Sequence, residues 1–165
     1  MAIKSPTQVI QPESRVKQSS PPTTTARLSR VKVFFPKKPQ SNNNLSYVEA
    51  VTRTTRSQSL ARFAVEQAIA GPTSQERQKG FTKAIQLRGS SNCSSDFKLS
   101  ISQGIARLQF CRTIVSAGVG DDARVKSSLT STLKQFSGVK SVIILDNSGN
   151  CFGDMSGENR CLSNS

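Results

Sequence analysis

Four cysteines (Cys93, Cys111, Cys151 and Cys161) and the absence of histidine set the chemistry open to this sequence. Without an imidazole, neither a Cys–His nucleophile–base pair nor a mixed Cys/His zinc site can be assembled, so the cysteines point to a disulfide framework. Cys151 and Cys161 stand ten positions apart around a glycine-containing loop able to bring them together. Closing it would contribute roughly 3 kcal/mol of loop entropy. Elimination would then join Cys93 to Cys111, although four cysteines permit three connectivities and the sequence does not choose between them. The competing reading is four unrelated buried thiols in a reducing compartment.

The carboxylates invite a second chemistry. Asp121, Asp122 and Asp154 could form an acid/base or cation site, but Asp121 and Asp122 open a helical pattern, where carboxylates take up free N–H groups and complement the helix dipole. They are read as helix caps. Asp146-Asn147-Ser148-Gly149-Asn150 departs from a calcium loop, because glycine comes fourth rather than sixth and the twelfth residue is Gly157 instead of glutamate. Gly118-Val119-Gly120 before a helix could hold an anion, yet the adjacent aspartates would repel it, leaving a tight turn. No Gly-x-Ser-x-Gly, phosphate loop or dinucleotide fingerprint occurs. The expectation is a non-catalytic chain with no catalytic, cofactor-binding or metal-binding residues.

Charge suggests partners. The net charge of +13 is uneven: residues 1–30 contribute +4, residues 31–92 contribute +7 and residues 93–165 contribute +2. Lys37, Lys38, Arg53, Arg56 and Arg62 are a candidate basic patch for acidic cell-wall polymer, membrane headgroups or nucleic acid. Readers of single strands add exposed aromatic platforms, and with one tyrosine and no tryptophan nucleic acid is disfavoured. A solvated basic face is the competing reading. No apolar run is long enough to span a bilayer, and the start, Met1-Ala2-Ile3-Lys4, lacks a signal-peptide segment. Disulfides nevertheless predict an extracytoplasmic location, periplasm or envelope, and hence a leader or anchor lost from the N-terminus.

The elements that must position these groups follow from patterning. Residues 1–30, rich in Ser, Thr, Pro and Gln, cannot offset their ordering entropy and read as a disordered linker, with one domain over 31–165. Val31–Phe35, stopped by Pro36, and Tyr47–Arg53 read as strands, with a loop over Lys37–Asn44. A helix runs from Ser57 or Ser59 to Ala70 and stops at Gly71-Pro72. A short strand is possible at Ala84–Leu87. Phe97–Ile101 and Ala106–Phe110 form a hairpin in which Ile101 faces Ala106, Leu99 faces Leu108 and Phe97 faces Phe110, the register that puts every apolar side chain on one face. A second helix starts at Asp121-Asp122 with Val125, Leu129, Thr132, Leu133 and Phe136 on its stripe and ends at Ser137-Gly138. Val142–Leu145, apolar without alternation, reads as a central strand. The expected class is α+β, a mostly antiparallel sheet with two helices packed on one face.

Gly71-Pro72-Thr73 with Glu76-Arg77 and Gly80-Phe81, followed by Leu133–Val142, resembles the GerMN domain, which is named after the sporulation and spore-germination protein GerM. The resemblance covers about Val31 to Leu162. Phe110-Cys111-Arg112, Gly118–Arg124 and Asn150–Asp154 resemble the cysteine-containing GerMN proteins of cyanobacteria, which do not sporulate. The resemblance implies a module of exported, anchored proteins, similar in fold to ring-building domains. It would act through envelope proteins or self-association.

Overall fold

The structure, a computed structural model, describes Pro21 and residues 25–163. Most of the expected linker therefore lies outside the described residues. The first element among them, β1 (Ser29–Pro36), starts two residues before the strand expected from Val31 and pairs antiparallel with β2 (Val48–Thr55) from Ser29↔Thr55 to Pro36↔Val48. Val31, Val33 and Phe35 alternate into the core, the period-two pattern of a half-buried strand. One helical turn, α1 (Gln40–Asn43), interrupts the connecting loop.

The next helix, α2 (Leu60–Ala70), buries Ala64, Val65 and Ala68 and ends where Gly71 adopts φ +88° ahead of Pro72. Ser59 is its N-cap without a side-chain cap bond, while the Ser57 hydroxyl accepts the Ser59 N–H at 3.1 Å. A short helix not foreseen in the sequence, α3 (Ser74–Gln78), follows. Thr73 and Glu76 close it as a capping box: the Thr73 hydroxyl accepts the Glu76 N–H at 3.2 Å and Glu76 accepts the Thr73 N–H at 2.9 Å.

β3 (Leu87–Arg88) pairs with β6 (Thr113–Ile114), so the short strand expected at Ala84–Leu87 is two residues long and shares only Leu87 with that range. β4 (Phe97–Ser102) and β5 (Ile105–Phe110) form the expected hairpin in the expected register. Gln103 and Gly104 make its tight turn with φ of +51° and +79°. After β6, α4 (Val119–Lys134) carries the chain over to β7 (Ser141–Leu145), which lies parallel to β5. The strands thus divide into three hydrogen-bonded sets, β1–β2, β3–β6 and β4–β5–β7. The class is α+β, antiparallel sheets with helices alongside. α2 and α4 pack on each other and on β1, and α4 also packs on β7.

Fully buried Phe35, Phe97, Phe110, Leu108, Leu129 and Leu133 fill the core between these layers. β7, expected to be central, is an edge of its sheet. It lacks alternation because both faces are covered: Val142 and Ile144 face the main core, while Ile143 and Leu145 pack with Cys151, Cys161 and Leu162 of the C-terminal loop.

Candidate functional site

The cysteines occupy one half of the molecule. Cys93 is bonded to Cys111 with a Cα–Cα distance of 5.7 Å, and Cys151 to Cys161 at 6.1 Å. The Cys93 segment curls back onto the end of β5: Asn92 N–H donates to the Cys111 carbonyl at 2.9 Å and Cys111 N–H to the Asp96 carbonyl at 2.8 Å. On the C-terminal side, Cys151 returns along β7 through an isolated bridge to Leu145, and Phe152 N–H donates to the Ile144 carbonyl at 2.9 Å.

The carboxylates that could have done chemistry instead organise turns. Asp154 accepts the Ser156 hydroxyl at 2.6 Å, the Ser156 N–H at 2.9 Å and the Asn159 N–H at 2.8 Å, and these bonds hold it below the usual carboxylate range. Asn159 in turn accepts the Cys151 N–H at 2.9 Å. Asp146 accepts the Ser148 and Asn150 N–H groups at 2.9 and 3.0 Å. Gly118 is the N-cap of α4, with Asp121 and Asp122 in its first turn. Asp121 accepts the Ala117 N–H at 2.8 Å and Asp122 the Ser116 hydroxyl at 2.6 Å, so both reach back to the turn before the helix. A shallow polar cleft of about 630 Å³ runs between these turns, lined by Asp122, Asp146, Asn147, Phe152 and Met155. Among the described residues, no group of three His, Cys, Asp or Glu side chains could hold a metal. No helix among them is long and apolar enough to cross a membrane.

The five basic side chains do not converge. Lys37 follows Pro36, opposite Val48, and Arg56 follows Thr55, opposite Ser29, so the two stand at opposite ends of the ribbon. At about 3.3 Å per residue they lie about 25 Å apart. Lys37 is paired with Glu49 at 2.8 Å, and Arg62 with Glu66 at 3.1 Å while stacking 4.7 Å from the Phe97 ring centroid. Arg53 makes two bonds to Glu76, at 2.5 and 2.8 Å, and one to Gln67 at 3.2 Å. Arg56 donates to the Ala26 carbonyl at 2.9 Å, and Lys38 has no ion pair among the described residues. The Arg53 guanidinium holds the Glu76 carboxyl below its ordinary range.

A family model described as Germane, sporulation and spore germination, matches residues 32–148. The chain belongs to this family. Two solved structures of the sporulation protein GerM from Bacillus subtilis are similar to it. One holds tandem GerMN domains, with 20% identity and a TM-score of 0.48 over 73% of this chain and 40% of that one. The other is the first GerMN domain, with 24% identity and a TM-score of 0.49 over 72% of this chain and 83% of that one. The curated proteins contain no match.

Besides these turns and ion pairs, the strand edges of this Germane domain are candidate contacts. One β1 edge is closed by α4 side chains. The Ser128 and Thr132 hydroxyls bond the Phe34 carbonyl and N–H at 2.5 and 3.1 Å, and the Gln135 carboxamide bonds the Lys32 N–H at 2.8 Å and its carbonyl at 2.6 Å. Ser128 and Thr132 are fully buried. These residues were missed as a set in the sequence, where Thr132 reads as part of an apolar stripe. Their spacing of four and three positions, polar on an otherwise core-facing helix side, is the signal that marks them.

Proposed function

We propose that this chain is a protein-interaction module of the bacterial envelope, displayed outside the cytoplasm with residues 1–30 as its tether and residues 31–165 as the working domain. The observation that carries the proposal is that all four cysteines are consumed in two disulfides, a covalent economy suited to an oxidising compartment. Family membership supports the interaction role, and the carboxylates support it by being spent on turns. The residues around Cys111 and Cys151 support a kinship with the cysteine-containing GerMN proteins of cyanobacteria. Protein purified from its native host should lack four thiol hydrogens by intact mass and yield a Cys151–Cys161 peptide. Four free thiols would return it to the cytoplasm and end this reading. Limited proteolysis should trim the chain to near Arg30 and stop there.

The rival reading is an anion-binding module for acidic wall polymer or nucleic acid, drawing on the +7 charge of residues 31–92. It loses ground because four of its five basic side chains are engaged and the set spans the ribbon. Binding that collapses steeply with salt would restore it, whereas weak salt dependence supports a protein interface.

A further inference from the structure

The two edges of the β1–β2 ribbon are unequal. Lys32 and Phe34 turn their backbone groups outward to α4. Facing residues in an antiparallel pair alternate between exchanging both backbone bonds and exchanging none. Their partners Thr52 and Ala50 therefore also point outward, on the opposite edge, and Thr54, facing Arg30, follows in phase. Ala50, Thr52 and Thr54 are exposed. Among the described residues their outward groups receive one bond, a long 3.4 Å contact from the neighbouring Arg53 guanidinium to the Thr52 carbonyl. Natural sheet edges are usually shortened, bulged, or guarded by lysine or proline. β2 is eight residues long, keeps an unbroken one-to-one register with β1, and contains neither residue. Its charges, Glu49 and Arg53, are opposite in sign and each has a partner within the chain, Lys37 and Glu76, so neither guards the edge as a lone charge.

We infer that this edge pairs with β2 of a second copy of the chain, antiparallel about a two-fold axis at Val51. The inference rests on the interaction-module reading and names its partner. The register follows from the groups present. Outward groups meet outward groups only when even-numbered residues face even-numbered ones, so a slip of one residue breaks the ladder. With the axis at Val51, Val48–Thr54 pairs with itself. Val51 faces Val51, Glu49 faces Arg53 twice, Ala50 faces Thr52 twice, and Val48 faces Thr54 twice. Each is a β-branched, small or opposite-charge pair, the kinds that stabilise facing strands. Moving the axis to Thr52 keeps the length but sets Arg53 against Val51 and Glu49 against Thr55, losing the charge complementarity. Lys32 and its copy would stand three strand spacings apart, about 14 Å, beyond the screening length of about 8 Å at physiological salt. The net charge of +13 therefore opposes the pair mainly at low salt. Added salt should strengthen association, the reverse of polyanion binding.

Sedimentation of the oxidised full chain tests the pairing. The expected result is a concentration-dependent dimer favoured by salt and lost in Thr52→Pro, whose missing N–H points away from β1 and leaves the internal ladder whole. Val51→Cys should form a covalent dimer, read as a peptide linking the two new cysteines, at a rate about tenfold or more above Thr54→Cys. In that register the Thr54 positions lie six residues out of line. Should Thr52→Pro fail to fold, the ratio of the two cysteine variants decides. A dimer that survives Thr52→Pro, or equal cross-linking of the two variants, overturns the β2 pairing and leaves the module reading intact. A strict monomer at its highest soluble concentration in high salt also overturns it. If that monomer carries four free thiols in its native host, the module reading falls separately.

Discussion

Residues 29–88 and residues 89–163 each hold a small sheet against helices, and they do so by different means. The first half contains no cysteine. Its ribbon is fixed by deep burial of Val33 and Phe35, by the Ser128, Thr132 and Gln135 bonds along β1, and by the Arg53–Glu76 pair built on the α3 capping box. The second half contains both disulfides, and from Asp146 onward it has no strand or helix beyond the single 3₁₀ turn Arg160–Leu162. Its outer apolar cluster is small, centred on Ile143, Leu145 and Cys151. Cross-links stand where buried area is scarce, because constraining the unfolded chain substitutes for a core that the segment is too short to build.

The strongest test removes burial from the half without cross-links. Phe35→Ala should cost about 3–5 kcal/mol in urea unfolding, since the ring is fully buried and the cavity cannot be refilled by strands already in register. A loss near 1 kcal/mol would mean that packing does not carry the ribbon. Removing the C-terminal bridge with the double variant Cys151→Ala and Cys161→Ala should cost about 2–4 kcal/mol. Hydrogen exchange should locate the damage, with the Phe152 and Asp146 amides exchanging faster while those of β1 stay protected. If protection falls evenly over both halves, the division of labour is wrong.

Glu76 sharpens the comparison through pH. Its carboxyl and Arg53 are mostly shielded, with 17% and 14% of the side chains exposed. Glu76→Gln removes the guanidinium's charged partner, leaving it the Gln67 and Thr52 acceptors, and should cost about 1–3 kcal/mol at neutral pH. Because the folded carboxyl titrates below its unfolded value, the contribution is complete above the ordinary glutamate pKa of about 4.3 and is lost as pH falls through the lowered folded value. Unfolding measured from neutral to acid pH should therefore show the wild type and the variant converging. Parallel curves would show that the ion pair adds nothing.

What the sequence disclosed follows the range of the interactions. The β4–β5 register was legible because alternation along Phe97–Ile101 and Ala106–Phe110 selects one pairing locally. The C-terminal end of α2 was legible because Gly71-Pro72 is a strong helix stop, whereas its start stayed open between Ser57 and Ser59. The edge position of β7 was not legible. Its unbroken apolar run reports two covered faces, and nothing local says that a returning disulfide loop rather than a neighbouring strand provides the second cover. Lys37, Arg53 and Arg62 look like a patch when counted and are separate ion pairs once the ribbon spaces them and Glu49, Glu76 and Glu66 come into reach. The α4 polar ladder was hidden for a related reason. A buried serine or threonine on a helix is interpretable only when the edge it faces, here 94 and 98 positions away, is known.

That ladder supplies the smallest expected effect and the sharpest distinction between the halves. Thr132→Val keeps the side chain's shape and removes its oxygen, leaving the Phe34 N–H without its acceptor beside a fully packed helix. The cost should be about 1–2 kcal/mol, the penalty of an orphaned buried donor rather than of lost volume. Gln135→Ala removes two bonds to exposed Lys32 from a half-buried carboxamide, at solvent-accessible positions where water replaces them, so the loss should stay below about 0.5 kcal/mol. Measured side by side, the two variants separate sealing a strand edge from merely decorating it. If Thr132→Val were neutral and Gln135→Ala costly, α4 would hold β1 through its exposed end, and the first half would owe less to its buried interior than its packing indicates.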